Sequence, residues 1–170
     1  MDTDARQLIE LLDLRPHPEG GYFRETYRST RTMPPDVLPP EYGAARSFSA
    51  AIYYMLVPGS ASLLHRLKSD EIFHFYLGDP VTMLQLHPDG HVETMTLGQN
   101  VVAGERPQVV VPAGVWQGSF LNEGGRFALM GCTVAPGFDF DDFELGARDR
   151  LLDRYPDQAE FIERLTTESD

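Results

Sequence analysis

Residues 59–78 read GSASLLHRLKSDEIFHFYLG, and this stretch decides the fold. Gly59 and Gly78 stand at its two ends, and His65 and Glu71 lie six residues apart between them. The apolar segments SLLHRL and EIFHFYL, separated by a short polar turn, are typical of two consecutive strands. The spacing predicts that a histidine and a glutamate project into the mouth of a small β-barrel. Leu67, two residues after the histidine, carries no polar group.

The chain on both sides of this stretch also reads as β-structure. Short apolar or alternating segments follow one another from Arg46 to Gly137, separated by turns rich in glycine, proline and aspartate. Strands at this spacing, without helical patterns between them, indicate a sandwich or barrel. The fold class expected from the sequence is therefore all-β.

Helical patterns are confined to the two ends of the chain. Leu8, Ile9, Leu11 and Leu12 predict one face of a helix over residues 4–14. The tail predicts two short helices within 147–166, separated by a proline. We expect a single domain, 1–170, with the barrel at about 20–143.

Composition excludes several classes of partner. The formal net charge of −12 repels phosphate backbones and anionic lipids, so we expect no nucleic-acid and no membrane partner. No run approaches the roughly 20 apolar residues of a membrane span. The first residues lack the basic and apolar pattern of a signal peptide, and Cys132 is the single cysteine. These features favour a cytoplasmic protein.

The order of glycine, histidine, glutamate and glycine in 59–78 resembles the first signature of the cupin superfamily, with Leu67 where that signature has histidine. Residues 112–117, PAGVWQ, resemble the second signature, with Gln117 in place of a histidine. Five longer blocks make the chain similar to the cupin-5 family, a branch catalogued as a domain of unknown function. These blocks are HPEGGYFRETYRS, SFSAAIYYML, EIFHFYLGDP, VPAGVWQGS and GCTVAPGFDFDDFEL.

The resemblance implies a double-stranded β-helix, the cupin jelly-roll barrel, with a pocket inside it. It also implies a homodimer and similarity to the dehydrorhamnose epimerase-like (RmlC-like) cupins. It implies no settled substrate.

A metal site is one interpretation of the polar residues in this pocket. His65, Glu71 and Gln117 occupy the matching positions, and an imidazole with a carboxylate suits a divalent transition metal. A catalytic metal ordinarily has three protein ligands, and an amide oxygen is a weak one. The expectation is therefore a weakly bound divalent metal or none. In the alternative interpretation, His65 and Glu71 hydrogen-bond each other and line a polar pocket.

Acid–base chemistry is the second interpretation of the same residues. His65 is the candidate base and Glu71 the group that orients it. Candidate donors to a substrate oxygen are Tyr54, Tyr22, Tyr27 and Tyr76. The alternative for each is a half-buried packing residue with a satisfied hydroxyl, which is the more common case. Gln117 suits a polar substrate because its amide both donates and accepts.

Two further residues are candidate substrate contacts. Arg24 is a candidate for recruiting an anionic substrate. His74 enters the pocket only through a bulge, because strict alternation from Glu71 places it on the outer face. The acidic run around Asp142 is interpreted as a solvated edge.

Three functions follow from these residues. The first is an epimerase or isomerase that acts on a sugar-like or other small polar metabolite by proton transfer. The second is a metal-dependent cupin enzyme. The third is a non-catalytic ligand-binding or sensor protein that uses the same pocket.

Overall fold

The computed structural model describes residues 4–167, which form thirteen strands and three α-helices. In chain order the strands are β1 (Arg15–Pro16), β2 (Tyr22–Arg28), β3 (Thr32–Met33), β4 (Arg46–Ser47), β5 (Ala50–Leu56), β6 (Ala61–Leu67), β7 (Glu71–Gly78), β8 (Val81–Leu86), β9 (Val92–Leu97), β10 (Gln108–Val111), β11 (Trp116–Leu121), β12 (Ala128–Val134) and β13 (Phe143–Leu145). The helices are α1 (Ala5–Leu11), α2 (Arg148–Arg154) and α3 (Ala159–Arg164).

Two antiparallel sheets form the body of the molecule. One has six strands in the order β1-β2-β5-β12-β7-β10, and the other has five in the order β13-β6-β11-β8-β9. Tyr54 and Phe73 from the first sheet and Val81 and Met83 from the second belong to one buried cluster, so the two sheets pack face to face. The arrangement confirms the all-β fold and is consistent with a jelly roll.

The alternation of β7 determines which residues reach the space between the sheets. Glu71, Phe73 and Phe75 are buried, whereas the side chains between them point to the opposite face. Aromatic residues at alternate positions suit a strand with one face in the core. The glutamate at the start of this strand is therefore carried into the barrel with the two phenylalanines.

The helices cover parts of the two outer faces. Leu151, Ile162 and Leu165 from the C-terminal helical region pack on Leu64 and other apolar residues of the five-stranded sheet. Helix α1 packs beside one end of the six-stranded sheet through Leu8, Ile9 and Leu12. Leu11, expected on the same helical face, is instead 79% exposed, because the packed face is formed by Ala5, Leu8, Ile9 and Leu12. Across residues 4–167, no helix has the length and apolar character needed to cross a membrane.

Candidate functional site

A cavity of about 230 Å³ opens between the two sheets. Its polar inner end is formed by His17, Glu19, His65 and Glu71, with Cys132 beside them. Its mouth is formed by residues of β2, of the segment between β12 and β13, and by the first residue of β13, namely Phe23, Glu25, Arg28, Phe138, Asp139, Phe140 and Phe143. The strand pairings of the two sheets thus bring His65 and Glu71 into one cavity.

Glu19 reaches the cavity on a tight loop that precedes β2. Gly20 has φ +104° and lies so close to β6 that a Cβ atom there would be 2.0 Å from the carbonyl oxygen of Ala61. The loop is held by a hydrogen bond from Leu63 N to Glu19 O (2.9 Å) and by the Tyr54 hydroxyl, which donates to Gly20 O (2.8 Å). Only glycine permits this approach, and the approach buries the glutamate to 6% exposure.

His65 is held in one orientation by its own strand. Its Nδ1 lies 2.7 Å from the carbonyl oxygen of Leu63. Because a carbonyl only accepts, Nδ1 carries the proton and Nε2 is the atom left to react. Nε2 lies 3.2 Å from Glu19 Oε2 and 3.2 Å from Gln117 Nε2. The histidine therefore contacts a carboxyl group that was not expected from the sequence.

Gln117 links His65 to Glu71. The pairing of β11 with β6 places Gln117 directly opposite His65. Its side-chain amide donates a hydrogen bond to Glu71 Oε2 and also faces His65 Nε2. Gln117 is 1% exposed and lies behind the cavity wall, so it positions the two titratable groups. The expected direct contact between His65 and Glu71 is replaced by this bridge.

Burial shifts the pKa values of these groups in opposite directions. Removal from water raises the pKa of Glu19 to about 7, although His17 and Ser62 partly oppose the change. Removal from water also raises the pKa of Glu71 to about 7. The same desolvation lowers the pKa of His65. Burial therefore favours the uncharged forms of both groups, a protonated carboxyl beside a neutral imidazole.

These shifts predict how stability depends on pH. A carboxyl group whose pKa rises from 4.5 to about 7 on folding destabilises the folded protein increasingly as pH rises through that range. For one isolated group the effect is about 3 kcal/mol. We expect the free energy of unfolding of Glu19→Gln, relative to that of the wild type, to increase by about 1–3 kcal/mol when the pH is raised from 5 to 8. Urea unfolding at both pH values measures the difference.

Glu160→Gln, on the exposed face of α3, is the matched control for this stability measurement. Its free energy of unfolding relative to the wild type should be the same at pH 5 and pH 8. A Glu19→Gln difference that is equally independent of pH would contradict the raised pKa of Glu19.

Three expected substrate contacts lie outside the cavity, because successive side chains of a strand point to opposite faces of the sheet and these three point away from the cavity. Phe23 and Glu25 of β2 line the cavity, so Tyr22 and Arg24 point to the other face. Tyr22 packs against the cluster beneath α1, and Arg24 donates to Leu12 O (3.0 Å). His74 is also on the outer face, where its Nε2 lies 3.2 Å from Thr133 Oγ1.

The fourth expected contact, Tyr54, supports the site from behind. It is 1% exposed and does not line the cavity. Its hydroxyl donates a hydrogen bond to the loop of residues 19–21, the glycine loop, and so helps to position Glu19 in the site. Desolvation raises the pKa of its phenol well above the ordinary value, which makes it a hydrogen-bond donor and a poor base.

The mouth is covered by an aromatic segment, residues 138–143. Phe138, Phe140 and Phe143 meet at interplanar angles of 71–81° with ring centroids 5.0–6.3 Å apart. Phe143 also stacks on the imidazole of His65, at 5.2 Å between centroids. The aromatic segment therefore closes one side of the cavity directly over the candidate base.

A buried ion pair anchors the aromatic segment. Asp142 accepts two hydrogen bonds of 2.7 Å from the guanidinium of Arg46 and lies 3.2 Å from the Lys68 ammonium. Burial opposes its ionisation, but the hydrogen bonds from the two cations outweigh burial and lower the pKa of Asp142. The interpretation of this acidic run as a solvated edge is therefore wrong for Asp142, because Arg46 folds over it.

The donor set does not fit a resident metal ion. Across residues 4–167, no group of three histidine, cysteine, aspartate or glutamate side chains is arranged to hold one. Gln117 turns the N–H side of its amide toward His65 Nε2 and Glu71, so it presents no oxygen to a cation. Leu67 adds an apolar side chain to the wall.

The residues missed from the sequence are those of the segment HPEGG, residues 17–21. Within it, the backbone N–H of Glu19 donates to His17 Nδ1 (3.2 Å), and both side chains line the cavity. The available signal was the pair of glycines directly after Glu19. Two consecutive glycines beside charged residues indicate a backbone that approaches another element closely.

The sequence matches the model of a known family, Cupin_5, described as "Cupin superfamily (DUF985)", over residues 6–146. Uncharacterized protein YML079W of Saccharomyces cerevisiae is 37% identical over 150 residues, which cover 82% of this chain and 74% of that protein.

Solved structures share the fold over almost the whole chain. Protein SO0799 from Shewanella oneidensis is 38% identical with a TM-score of 0.86, covering 98% of this chain and 99% of its own. A hypothetical protein from Leishmania major is 32% identical with a TM-score of 0.88, covering 98% and 100%. Oxalate decarboxylase from Bacillus subtilis, 17% identical with a TM-score of 0.54, covers 93% of this chain and 38% of its own and shares the fold alone. The chain therefore belongs to the Cupin_5 family of the cupin superfamily.

Proposed function

We propose that the cavity binds a small polar metabolite and that the protein moves a proton at a carbon atom next to a carbonyl group, as an epimerase or isomerase does. The observation that carries the proposal is the contact of 3.2 Å between His65 Nε2 and Glu19 Oε2 at the inner end of the cavity. Both groups are buried, and burial raises the pKa of Glu19 to about 7 and lowers the pKa of His65. Perturbed acid–base pairs in a cavity are typical of sites of proton transfer.

The residues divide the reaction between them. His65, with Nδ1–H donated to Leu63 O, takes the proton from carbon at Nε2. The C–H bond breaks, an N–H bond forms, and the electron pair moves to the carbonyl oxygen to give an enolate. Ionised Glu19 stabilises the imidazolium. The imidazolium then loses its proton to solvent, and a solvent proton that adds to the opposite face of the enolate carbon completes an epimerisation.

Glu71 supports the enolate oxygen in this scheme. With a pKa of about 7, it is protonated about half of the time at neutral pH and then donates a hydrogen bond. Gln117 positions Glu71 and His65 relative to each other. A sugar-like substrate and a relation to the dehydrorhamnose epimerase-like cupins belong to the same proposal.

Proton exchange in deuterium oxide tests the proposal. Hydroxyacetone, dihydroxyacetone and glyceraldehyde each carry an acidic C–H bond next to a carbonyl group. We expect the protein to speed the incorporation of deuterium at that carbon, followed by proton NMR. Exchange no faster than with protein denatured by heat, for all three compounds, would contradict the proton-transfer function. A compound that binds in the cavity and shows no deuterium incorporation would instead favour a non-catalytic binding protein.

We further propose a homodimer. The outer face of the six-stranded sheet carries exposed apolar groups, with Tyr27 56%, Tyr76 43% and Val110 50% exposed. A second copy of the chain is the ordinary cover for such a face in a symmetric oligomer. Sedimentation equilibrium should give twice the mass of the chain, and a monomer mass at micromolar concentration would contradict the dimer.

A cytoplasmic location also stays part of the proposal, to be checked by cell fractionation.

A further inference from the structure

The cavity carries an excess of negative groups. Its titratable lining has four carboxyl groups, from Glu19, Glu25, Glu71 and Asp139, and the single guanidinium of Arg28. Glu19 and Glu71 are only partly ionised near neutral pH, because burial raises their pKa values to about 7. Among the described residues that line it, Arg28 is the one group with a fixed positive charge. The two histidines of the lining are buried and their pKa values are lowered by desolvation, so they add no positive charge at neutral pH.

Arg28 is already fully engaged. Its Nε lies 3.0 Å from Glu25 Oε1 and its Nη2 lies 2.6 Å from Glu25 Oε2. Its Nη1 donates to Phe138 O at 3.0 Å. A bidentate pair of this kind leaves little of the charge for a ligand. An anionic substrate entering the mouth would therefore meet carboxylates without a free cation to receive it.

The aromatic segment adds the second half of the argument. Aspartate stands between two phenylalanines in the sequence Phe138-Asp139-Phe140, and all three side chains line the mouth. The three rings of residues 138–143 meet at 71–81°, so their faces point in different directions around the entrance. Ring faces are negative and attract cations, and the carboxylate of Asp139 adds negative charge beside them, which Arg28 and Arg46 offset in part.

We propose that the ligand of this cavity is a small organic cation, an amine whose body carries the carbonyl group, and whose positive group rests at the mouth among Phe138, Asp139 and Phe140. This inference rests on the proposed function for what happens further in, where the body of the ligand reaches His65 and Glu19. It excludes nucleoside diphosphates, carboxylates and other anions as the preferred ligand class. Rejection of anions follows from the same carboxylates that attract the amine.

Three probes of nearly equal shape test the charge directly. Choline carries a quaternary ammonium, 3,3-dimethylbutan-1-ol replaces that nitrogen by carbon, and 3,3-dimethylbutanoate carries a negative charge. Isothermal titration calorimetry on the full chain should show choline binding at least about tenfold more tightly than the alcohol. The butanoate should show no measurable binding. Equal or tighter binding of the alcohol or the anion overturns the inference, and so does the absence of choline binding at millimolar concentration.

Variants identify the groups responsible. Asp139→Asn keeps a residue that can accept the hydrogen bond from Asp141 N and removes one charge, so choline affinity should fall several-fold while the alcohol is unaffected. Asp149→Asn, on the exposed side of α2, makes the same charge change and should leave both affinities unchanged. If the two variants lose choline affinity equally, the general field of the protein is responsible and the assignment to the mouth is wrong.

Glu25→Gln gives the opposite expectation. It frees the guanidinium of Arg28 at the mouth, so the butanoate should gain measurable affinity and choline should lose it.

The experiments distinguish failure of the cation site from failure of the proton-transfer function. Choline binding without deuterium exchange on any ketone leaves the cation site standing and removes the proton-transfer function. Exchange activity together with a preference for the alcohol or the anion removes the cation site alone.

Discussion

Replacing His65 by asparagine should lower the rate of enzyme-dependent deuterium exchange by about 10²- to 10⁴-fold, the usual contribution of a positioned general base. Asparagine keeps a polar group near the Nδ1 position but places nothing at Nε2, the atom that lies 3.2 Å from Glu19 Oε2. The bridge from Gln117 to Glu71 survives, because it does not pass through the imidazole. Proton NMR in deuterium oxide measures the rate, and circular dichroism verifies the fold.

His91→Asn is the matched control for this rate. His91 lies in the hairpin between β8 and β9, where its Nε2 is 2.9 Å from Glu93 Oε1 at an exposed position. Its exchange rate should equal that of the wild type. Glu19→Gln should fall between the two, because the base remains and loses only the partner that stabilises its charged form. Wild-type exchange by His65→Asn would show that the reaction occurs without the histidine.

Replacing Gly20 by alanine should cost about 4 kcal/mol of folding free energy, combining backbone strain at positive φ with a collision between Cβ and the backbone of Ala61. The collision is with a carbonyl oxygen, which cannot rotate away as a side chain can. The loop must therefore move, and Glu19 moves with it. We expect urea unfolding to show the loss of stability and the exchange assay to show loss of activity in the protein that remains folded.

Gly104→Ala separates the two causes. Gly104 has φ +97°, nearly the same conformation, and an added Cβ would meet nothing within 4 Å. Its cost should be limited to the backbone strain, about 1–3 kcal/mol. If Gly20→Ala costs no more than Gly104→Ala, the close approach to β6 does not constrain the loop and another feature must hold Glu19 in place.

The strands of the candidate site were predictable because their pattern is local. The segments on either side of the turn at 68–70 became β6 and β7, and alternation from Glu71 predicted that His74 faces outward unless a bulge intervenes. Gln117 was expected to face His65, and the two residues are paired across β11 and β6. A period of two residues is short enough to be read from eight residues of sequence.

The sequence was less informative about which residues of β2 face the cavity. Tyr22 and Arg24 were selected for their chemistry, whereas Phe23 and Glu25 carry the cavity-facing positions. In YFRETYR, each of the two sets of alternate residues contains both polar and aromatic side chains. The pattern therefore does not distinguish the inner face of the strand from the outer face. The pairing of β2 with β5, which contains a bulge between Glu25 and Tyr27, decides the question and is not visible in one sequence.

Glu19 depends on tertiary contacts alone. It follows a proline and precedes two glycines, which indicates a turn but not what the turn approaches. The same holds for Asp142, whose burial depends on Arg46, 96 residues earlier in the chain. Long-range pairs of this kind arise from the topology of the two sheets and leave no periodic pattern.

The position of Glu19 in the chain also bears on where a working fragment can begin. A shortened protein that starts at Tyr22 would retain every strand from β2 onward, including those that carry His65, Glu71 and Gln117. It would lack the carboxyl group that the glycine loop places 3.2 Å from the histidine. Truncation at the first long strand would thus remove the proton partner of His65 together with β1 and the packing of α1. The functional unit therefore begins ahead of the first long strand.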